Sequence, residues 1–547
     1  MVSKDRSIGA VVASSVNWSC LWPYTAFLVL AIWLNIELLP DGFCPTLDEG
    51  YLQSLAQRVL NGELPYRDFY FLRTPLSVFI QAGIMSLVGD SFSLLWARIL
   101  LQVQIIGAIA AVSTIYFRRV KPWELFLLLS ASYVVSSLLL TFPWYSYDAW
   151  FFAVVAAVLI YYRRYVAGGL VAFLAAMCKQ NYVLLLPLAL IGLWLYVPRS
   201  QKTVVAKQDI LRICLGFGAG LAALVIYLTA TGSWAAGWRN LVILPPEASN
   251  MDLGFAMFQN LPEAFKYASP IAVSVAIWFA CNRRLLGLIL VASAVFGYSL
   301  FEARDSAFHF VAALALFNYA VAVIYLIVTR TAEPVNRNRT GFGLAWPLWM
   351  MVVIQYLAGF NYGGLQFAYQ GVGTLIPLSY LVLRNHARLR SKWLATGSLV
   401  LILVASLQFK VGYVYHDAAR SHLTETFTAR RLAGIRSTPH NVTRTQELLG
   451  LIQSYTKKND PIFVYPDYPV LYYLADRENP TPVGWYYKLE LTPEVLADAM
   501  KALERSPTDL ILTHSDRLPA DLTRIIQEEY RLVDSTDGFT VYLRGSP

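Results

Sequence analysis

Two adjacent acids, Asp48 and Glu49, follow the first long apolar run and open the stretch DEGYLQSLAQRVLNGELPYRDFYFLRTPL. A carboxylate beside a bilayer is placed to meet a lipid headgroup, and an arginine fork fits the oxygens of a lipid phosphate. Pro75 disfavours helical geometry at Thr74, so we expect Arg73 on a rigid bend at the membrane face. These residues predict chemistry on a lipid-borne phosphate. The cations of the stretch are Arg58, Arg67 and Arg73.

Structural explanations compete with this interpretation. Thr46 and Glu49 have the spacing of a capping box, which would begin a helix from about 47 to 60 with its apolar face in the membrane interface. Acids in the first turn would also suit the helix dipole. Arg73 could be an interface anchor whose charged end reaches water. The local sequence leaves both alternatives open.

The composition indicates the kind of element that must position these residues. The chain has 547 residues, of which 57% are hydrophobic and 14% charged, and its mean hydropathy is +0.48. Such values are typical of a polytopic membrane protein. The net charge of +9 does not indicate nucleic-acid binding, because the basic residues form short clusters between apolar runs. The five cysteines have no spacing typical of a disulfide framework or a zinc site.

Apolar runs long enough to cross about 30 Å of hydrocarbon recur along the chain. The run at 168–197 is interrupted by CKQNY and the run at 269–301 by CNRR, so each is expected to cross twice. The runs lie near 21–40, 94–117, 123–141, 147–162, 168–197, 211–231, 269–301, 308–328, 344–360, 371–384 and 395–411. We therefore expect a polytopic α-helical protein of the plasma or inner membrane.

Basic clusters between the runs predict the orientation, because cytoplasmic loops are rich in arginine and lysine. The segment 74–89 is apolar enough to cross, but a crossing would place Arg118, Arg119 and Lys121 outside. The charge rule therefore favours a segment that dips into the membrane or lies along its interface. This interpretation predicts about 13 spans, beginning with an uncleaved one, a cytoplasmic N-terminus and an external C-terminus.

The composition becomes that of a soluble domain from about Tyr413. DPIFVYP, DLILTH and FTVYLR are typical of short strands, and TPEVLADAMKALERS and LPADLTRIIQEEY of amphipathic helices. Alternating strands and helices favour an α/β fold. We therefore expect a transmembrane domain at 1–411, with its first external loop at 41–74, and an external α/β domain at 412–547.

The first loop resembles that of the GT-C glycosyltransferases, in the branch of the protein O-mannosyltransferases and lipid A aminoarabinose transferases. The resemblance rests on LDEGYLQSLAQRVLNGELPYRDFYFLRTPL. That branch has an Asp-Glu pair, an amphipathic juxtamembrane helix and a Lys-Pro-Pro element. Here Arg73-Thr74-Pro75 replaces Lys-Pro-Pro and keeps the positive charge and one proline. The close match covers about 35 residues, and the multi-span body and C-terminal domain are similar more loosely.

The resemblance implies a specific reaction. Such enzymes take a sugar from a polyprenyl monophosphate on the external leaflet and pass it, with inversion, to an acceptor hydroxyl. By this resemblance Asp48 would be the general base, Glu49 would orient or support it, and Arg73 would face the donor phosphate. The chain would be a hexosyl- or pentosyltransferase. Its partners would be a polyprenyl-phosphate-linked sugar, membrane lipids, and an acceptor that is a lipid, glycan or protein.

Other charged residues are candidates for the same site. Lys179 in CKQN resembles lysines that the family places near the donor phosphate, and FEARDSAFHF resembles a segment with an Arg and His pair that several such enzymes carry before a late span. Structural alternatives stay open for these residues. Lys179 could be an interface lysine, the arginine of FEARDSAFHF could pair with its aspartate, and Asp148 could be a solvated loop aspartate. The candidates for the donor phosphate are Lys179, Arg239, Arg304 and His309, and those for a second acid or acceptor contact are Asp148 and Glu302.

Two other function classes fit the span count. A transporter or lipid flippase would place charges at mid-membrane, whereas here they gather at the predicted external ends. A polysaccharide polymerase or ligase acting on pyrophosphate-linked donors usually lacks the acid pair. No cofactor is certain: Asp48 and Glu49 could ligate a divalent cation, but no second acidic cluster is assigned to it.

Overall fold

The computed structural model describes residues 21–43, 48–196, 207–245, 344–359, 369–386, 389–487, 491–515, 517–536 and 538–545, with scattered positions between 311 and 326. The predicted span at 269–301 lies outside these residues, and the one at 308–328 lies largely outside them. The remaining predicted runs fall on the described part of the chain.

The apolar runs form helices, since a helix satisfies its own backbone hydrogen bonds where no water can do so. Three stretches are long and apolar enough to cross a membrane: Ser93–Arg119, Lys207–Ala230 and Ala395–Gly412. The other apolar helices of the described residues do not reach the length used for a membrane span, so the count of spans stays a prediction. The helices on the runs are Trp22–Leu38, Ser93–Tyr116, Pro122–Ser136, Tyr145–Tyr161, Tyr165–Cys178, Leu185–Tyr196, Lys207–Ala230, Ala345–Gly359, Tyr369–His386 and Leu389–Gly412.

Two helices lie between the first and second apolar runs. The first-loop helix, Tyr51–Leu60, is amphipathic, and the second, Leu76–Val88, is apolar. Because a helix rises about 1.5 Å per residue, the 13 residues of Leu76–Val88 span about 20 Å, which is less than the hydrocarbon thickness. That length is consistent with a segment that does not cross, and its placement in the bilayer stays a prediction.

Close helix packing in the body depends on glycine. A Cβ at Gly169 would lie 2.0 Å from the Ile213 carbonyl oxygen, and one at Gly216 would lie 2.0 Å from the Val166 carbonyl oxygen. The Tyr165–Cys178 and Lys207–Ala230 helices therefore approach backbone to backbone, as small residues allow in membrane helix pairs.

The C-terminal region is an α/β unit, and its three predicted strands and two predicted helices are confirmed. The strands are β1 (Glu425–Thr426), β2 (Arg436–Ser437), β3 (Ile462–Tyr465), β4 (Leu510–Thr513), β5 (Tyr530–Thr536) and β6 (Phe539–Arg544). The four-stranded sheet has the order β3-β4-β6-β5, in which β3 and β4 are parallel and the other pairs antiparallel. The helices are Pro439–Tyr455, Val470–Ala475, Pro493–Arg505 and Ala520–Glu529.

One hydrophobic core joins the helical body to the C-terminal region. It runs from Phe27 in the first helix through Leu55 in the first-loop helix to Val470 and Val541. Arg58 of the first-loop helix also donates to the Thr481 carbonyl oxygen at 2.9 Å. The first loop is therefore held between the helical body and the C-terminal region.

Candidate active site

The acid pair lies in a turn that ends at Gly50. Gly50 has φ +87°, and a Cβ there would lie 2.0 Å from a methyl carbon of Val470. Both facts require glycine, because other residues rarely adopt this φ and a side chain would collide with the C-terminal region. The close approach of Val470 fixes where the turn leaves the acids.

The capping-box alternative is wrong for the acid pair. The first-loop helix begins at Tyr51 with Gly50 as its N-cap, and no acid lies in its first turn. Asp48 and Glu49 therefore precede the helix, and Thr46 lies outside the described residues. Sequence spacing predicted a start near 47, but the left-handed conformation of Gly50 delays the helix until after the acids.

Asp48 is a half-buried carboxyl with a defined partner. The Tyr415 hydroxyl donates a hydrogen bond to its Oδ2 at 2.7 Å. Burial raises the pKa of the Asp48 carboxyl above its ordinary value, and the Tyr415 bond offsets part of that rise because it favours the charged form. A carboxyl with a raised pKa is a stronger base toward a hydroxyl proton than an ordinary surface aspartate.

Glu49 is held in a buried ion pair. Both its oxygens accept hydrogen bonds from Arg98, from Nε and Nη2 at 2.8 Å each, and the two side chains are 3% and 0% exposed. Arg98 also donates to the carbonyl oxygens of Leu39 and Gly42. This ion pair ties the acid-bearing turn to the Ser93–Tyr116 helix, which suits a supporting role for Glu49.

Arg73 lies on the bend before the Leu76–Val88 helix, as expected from Pro75. Its guanidinium lies over the Tyr145 ring, 5.2 Å from the ring centroid, and its Nη1 donates to the Leu72 carbonyl oxygen at 2.9 Å. The Tyr66 hydroxyl donates to the Arg73 carbonyl oxygen at 2.7 Å. The ring and the backbone bonds hold the cation in a fixed direction.

Lys179 lies beside Arg73 in the folded chain. The Thr74 hydroxyl donates to the Ala176 carbonyl oxygen at 2.7 Å, and the Gln180 amide donates to the Leu72 carbonyl oxygen at 2.9 Å. These bonds hold the segments that carry Arg73 and Lys179 side by side. Two cations brought together in this way form a site suited to an anion.

The surroundings of Lys179 exclude an interface anchor. Its side chain is 0% exposed, and its Nζ donates to the Ala358 carbonyl oxygen at 2.9 Å. That carbonyl lies at the end of the Ala345–Gly359 helix. The lysine thus satisfies a helix C-terminus and at the same time adds charge beside Arg73.

An aromatic stretch at 142–145 connects the acid to the cations. The Phe142 ring lies 5.4 Å from that of Tyr415, the partner of Asp48. The Trp144 and Tyr145 rings are 4.6 Å apart, and Tyr145 lies under Arg73. Asp48, through Tyr415, and Arg73 are therefore contacted by the two ends of one short segment.

Arg239 has partners on the C-terminal region, and its contact with a donor phosphate stays a prediction. Its Nη2 lies 2.6 Å from Glu494 Oε1 and 3.8 Å from Asp498 Oδ2, and its Nη1 donates to the Tyr70 hydroxyl at 3.2 Å. Tyr70 in turn donates to Asp498. Because both acids lie on the Pro493–Arg505 helix, Arg239 fastens the first loop to the C-terminal region.

Asp148 is not a solvated loop residue. It lies in the first turn of the Tyr145–Tyr161 helix, is 0% exposed, and its Oδ1 accepts a hydrogen bond from Gln104 at 2.6 Å. It is also close to Cys178, the residue before Lys179. The alternative of a solvated aspartate is therefore wrong, and a contact with an acceptor stays a prediction.

Two further arginines of the first loop have partners within that loop. Arg58 pairs with Glu63, with Nε 2.8 Å from Oε2, and Arg67 pairs with Asp68 at 2.7 Å. Both arginines are thus engaged within the first loop itself. Glu302, Arg304 and His309 lie outside the described residues.

A divalent cation would have to displace Arg98 to use Glu49. Within the part of the chain that the structure describes, no group of three His, Cys, Asp or Glu residues could hold a metal ion. Asp48 alone offers a carboxylate at this turn, and one carboxylate is a weak site for such an ion.

Sequence reasoning missed two residues of the site. Arg98 is a lone arginine within the apolar run 94–117, and a charge inside such a run signals a buried partner. Tyr415 carries no comparable signal, because it lies 367 positions from Asp48 and follows the last apolar run. Only the folded chain brings it to the acid.

The sequence matches no protein-family model and no curated protein. Among solved structures, ArnT from Cupriavidus metallidurans bound to undecaprenyl phosphate aligns over 95% of this chain and 98% of its own, with 12% identity and a TM-score of 0.46. The apo state of the same protein aligns over the same shares, with 13% identity and a TM-score of 0.41. At these identities and with TM-scores below 0.5, what this chain does rests on its own residues.

Proposed function

We propose that this chain is an integral membrane glycosyltransferase that moves a sugar from a polyprenyl monophosphate to an acceptor hydroxyl on the external face. The carrying observation is the placement of Asp48 and the Arg73-Lys179 pair at two ends of the aromatic stretch 142–145. An in-line displacement needs a base on one side of the sugar and cations behind the leaving phosphate on the other.

The reaction is a single displacement with inversion. The acceptor oxygen bonds to the anomeric carbon while the bond from that carbon to the phosphate oxygen breaks. Asp48 takes the acceptor proton, and the polyprenyl phosphate leaves with the bonding electrons. Arg73 and Lys179 stabilise the charge on that phosphate, which departs as an anion and needs no proton. Glu49 acts as a positioning residue through its ion pair with Arg98.

The proposal is tested with purified protein in nanodiscs and a panel of radiolabelled donors. Undecaprenyl-phosphate sugars come first, and undecaprenyl-pyrophosphate sugars and nucleotide sugars complete the panel. Membrane extract supplies acceptors, and release of free polyprenyl phosphate is measured alongside sugar transfer. We expect use of monophosphate donors alone. Movement of the donor between leaflets without cleavage would favour a flippase, and cleavage of pyrophosphate donors alone would favour a polymerase or ligase.

Removing the Tyr415 hydroxyl is expected to change the pH dependence of transfer. The base must be ionised, so the rate falls as the pH drops through the pKa of Asp48. The hydrogen bond from Tyr415 lowers that pKa. In Tyr415→Phe the pKa therefore rises further, and the acid limb of the kcat profile moves to higher pH, while the rate on the alkaline plateau changes less.

The matched control for this variant is Tyr455→Phe, since Tyr455 is 37% exposed on a helix of the C-terminal region. Its profile should overlay that of the wild type. An acid limb that stays in place, or moves to lower pH, in Tyr415→Phe would show that Asp48 is not the titrating base.

A further inference from the structure

A wide helical turn, the π-turn Arg239–Ile243, faces the first loop. It follows the short helix Trp234–Trp238 without a break in the helical backbone. Turns of this kind are rare and occur often at functional sites. Two adjacent side chains of the π-turn, Arg239 and Asn240, contact Tyr70 and Phe71 of the loop. The π-turn therefore meets the loop directly before the bend that carries Arg73.

The side chain of Asn240 is held in one orientation by two hydrogen bonds. Its Oδ1 accepts from the Phe71 backbone N–H at 2.9 Å, and its Nδ2 donates to the Ala236 carbonyl oxygen at 2.9 Å. A rotated amide would set donor against donor and acceptor against acceptor, so one orientation satisfies both partners. The side-chain oxygen of Asn240 is therefore committed to the first loop.

The bond between Asn240 and Phe71 is buried. Each of the two residues is 1% exposed. Buried backbone N–H groups are almost always paired, and one that loses its acceptor keeps the full cost of its desolvation. Asn240 supplies this acceptor from a position 169 residues along the chain. The conformation of the loop at Phe71 thus depends on the π-turn.

Leu72 links the backbone at Phe71 to the Arg73 side chain. The Leu72 carbonyl oxygen accepts from Arg73 Nη1 and from the Gln180 amide, at 2.9 Å each. Leu72 directly follows Phe71, whose N–H is held by Asn240. A displacement of the backbone at Phe71 would therefore move the acceptor that orients the Arg73 guanidinium.

Arg239 is the weaker of the two ties that the π-turn makes. Its side chain is 29% exposed, and those of its partners Glu494 and Asp498 are 64% and 33% exposed. Ion pairs that water and salt can reach contribute little, because the solvent screens them. The buried bond of Asn240 is therefore the interaction of the π-turn that fixes the loop.

We propose that Asn240 is a positioning residue for the donor-binding cation. By holding the Phe71 N–H it fixes the bend that directs Arg73 toward the donor phosphate, and it acts through Arg73 and not by touching the donor. The role in donor binding rests on the proposed function, whereas the hold on Phe71 does not.

The test uses two variants that remove the acceptor of the Phe71 N–H. Asn240→Leu does so at similar side-chain volume. Asn240→Ser is the milder change, because its hydroxyl is too short for Phe71 but can still bond to the Ala236 carbonyl oxygen one helical turn back. Asn240→Asp keeps a side-chain oxygen for Phe71. Asn61→Leu, at an exposed position of the first loop, is the matched control.

Two measurements are made in phosphatidylcholine nanodiscs. The first is equilibrium binding of labelled undecaprenyl phosphate, with each Asn240 change made in the wild type and in Arg73→Ala. Lys179 is intact in the Arg73→Ala background, so binding stays measurable there. The second is hydrogen exchange of the backbone amides at 68–74, followed by mass spectrometry, which reports the hold on Phe71 without any donor.

We expect Asn240→Leu and Asn240→Ser to weaken binding of undecaprenyl phosphate by roughly tenfold or more, the range of one buried hydrogen bond. In the Arg73→Ala background the same changes should have no further effect, because the two residues act as one unit. Exchange at 68–74 should become faster in both variants and stay near that of the wild type in Asn240→Asp. Asn61→Leu should bind as the wild type does.

Equal fold losses in the wild-type and Arg73→Ala backgrounds would overturn the positioning role, since a general structural defect would then explain them. Unchanged binding in both acceptor-removing variants would overturn it as well. Should the wild type bind no undecaprenyl phosphate, the proposed function and the donor role fail together. Faster exchange at 68–74 in Asn240→Ser would in that case still establish the hold on Phe71.

Discussion

Asp48→Asn is expected to lower kcat for sugar transfer by about 10² to 10⁴-fold, the range that a positioned general base contributes. Asparagine cannot take the acceptor proton, but its side-chain oxygen can still accept the hydrogen bond from Tyr415. The turn should therefore keep its shape. Because Arg73 and Lys179 are untouched, binding of polyprenyl phosphate should match that of the wild type. The measurements are initial rates in nanodiscs and equilibrium binding of labelled polyprenyl phosphate.

The matched control is Asp68→Asn, which removes an acid from the same first loop. The Asp68 side chain is 29% exposed and pairs with Arg67, away from the Tyr415 contact. Its transfer rate should stay close to that of the wild type. Wild-type transfer by Asp48→Asn would end the assignment of Asp48 as the base, and a matching loss in Asp68→Asn would point to disturbance of the loop instead.

Arg98→Met is expected to cost about 3–5 kcal/mol of stability, because it leaves the Glu49 carboxylate buried without its partner. It also removes the donors to the Leu39 and Gly42 carbonyl oxygens. Denaturation in mixed micelles, followed by tryptophan fluorescence, measures the loss. Transfer should fall as well, since the acid-bearing turn loses its tie to the Ser93–Tyr116 helix.

The double variant Arg98→Met/Glu49→Leu separates the ion pair from simple packing. Replacing both charges by apolar side chains removes the unpaired carboxylate, so much of the lost stability should return. Arg67→Met provides the exposed comparison, and its denaturation midpoint should change little because exposed pairs contribute little. A single and a double variant of equal stability would contradict the view that Glu49 is held by its charge.

Helix type and position followed from the sequence because hydrophobic periodicity and length are local properties. The helices Ser93–Tyr116 and Lys207–Ala230 lie close to the predicted runs 94–117 and 211–231. Boundaries that depend on a distant contact did not follow. The first-loop helix begins at Tyr51 because Gly50 adopts φ +87° against Val470, a residue far along the chain.

For charged residues too, features set by the local sequence were predictable and features set by distant contacts were not. A bend carrying Arg73 was predictable from Pro75, since proline restricts its neighbour whatever the rest of the fold does. The partners of Arg239 were not, because Glu494 and Asp498 come from the Pro493–Arg505 helix. An arginine beside an apolar run has the same local sequence whether it meets a lipid phosphate or an acid on another element.

The sequence by itself determined a helical membrane body, a C-terminal α/β region and an acid pair followed by a cation on a bend, because periodicity, composition and proline act within a few residues. The tertiary structure alone decided that Asp48 accepts a hydrogen bond from Tyr415, that Glu49 pairs with Arg98, and that Lys179 lies beside Arg73. Pairing of charges depends on distances of a few ångströms between segments far apart in sequence, and only the packed chain sets those distances.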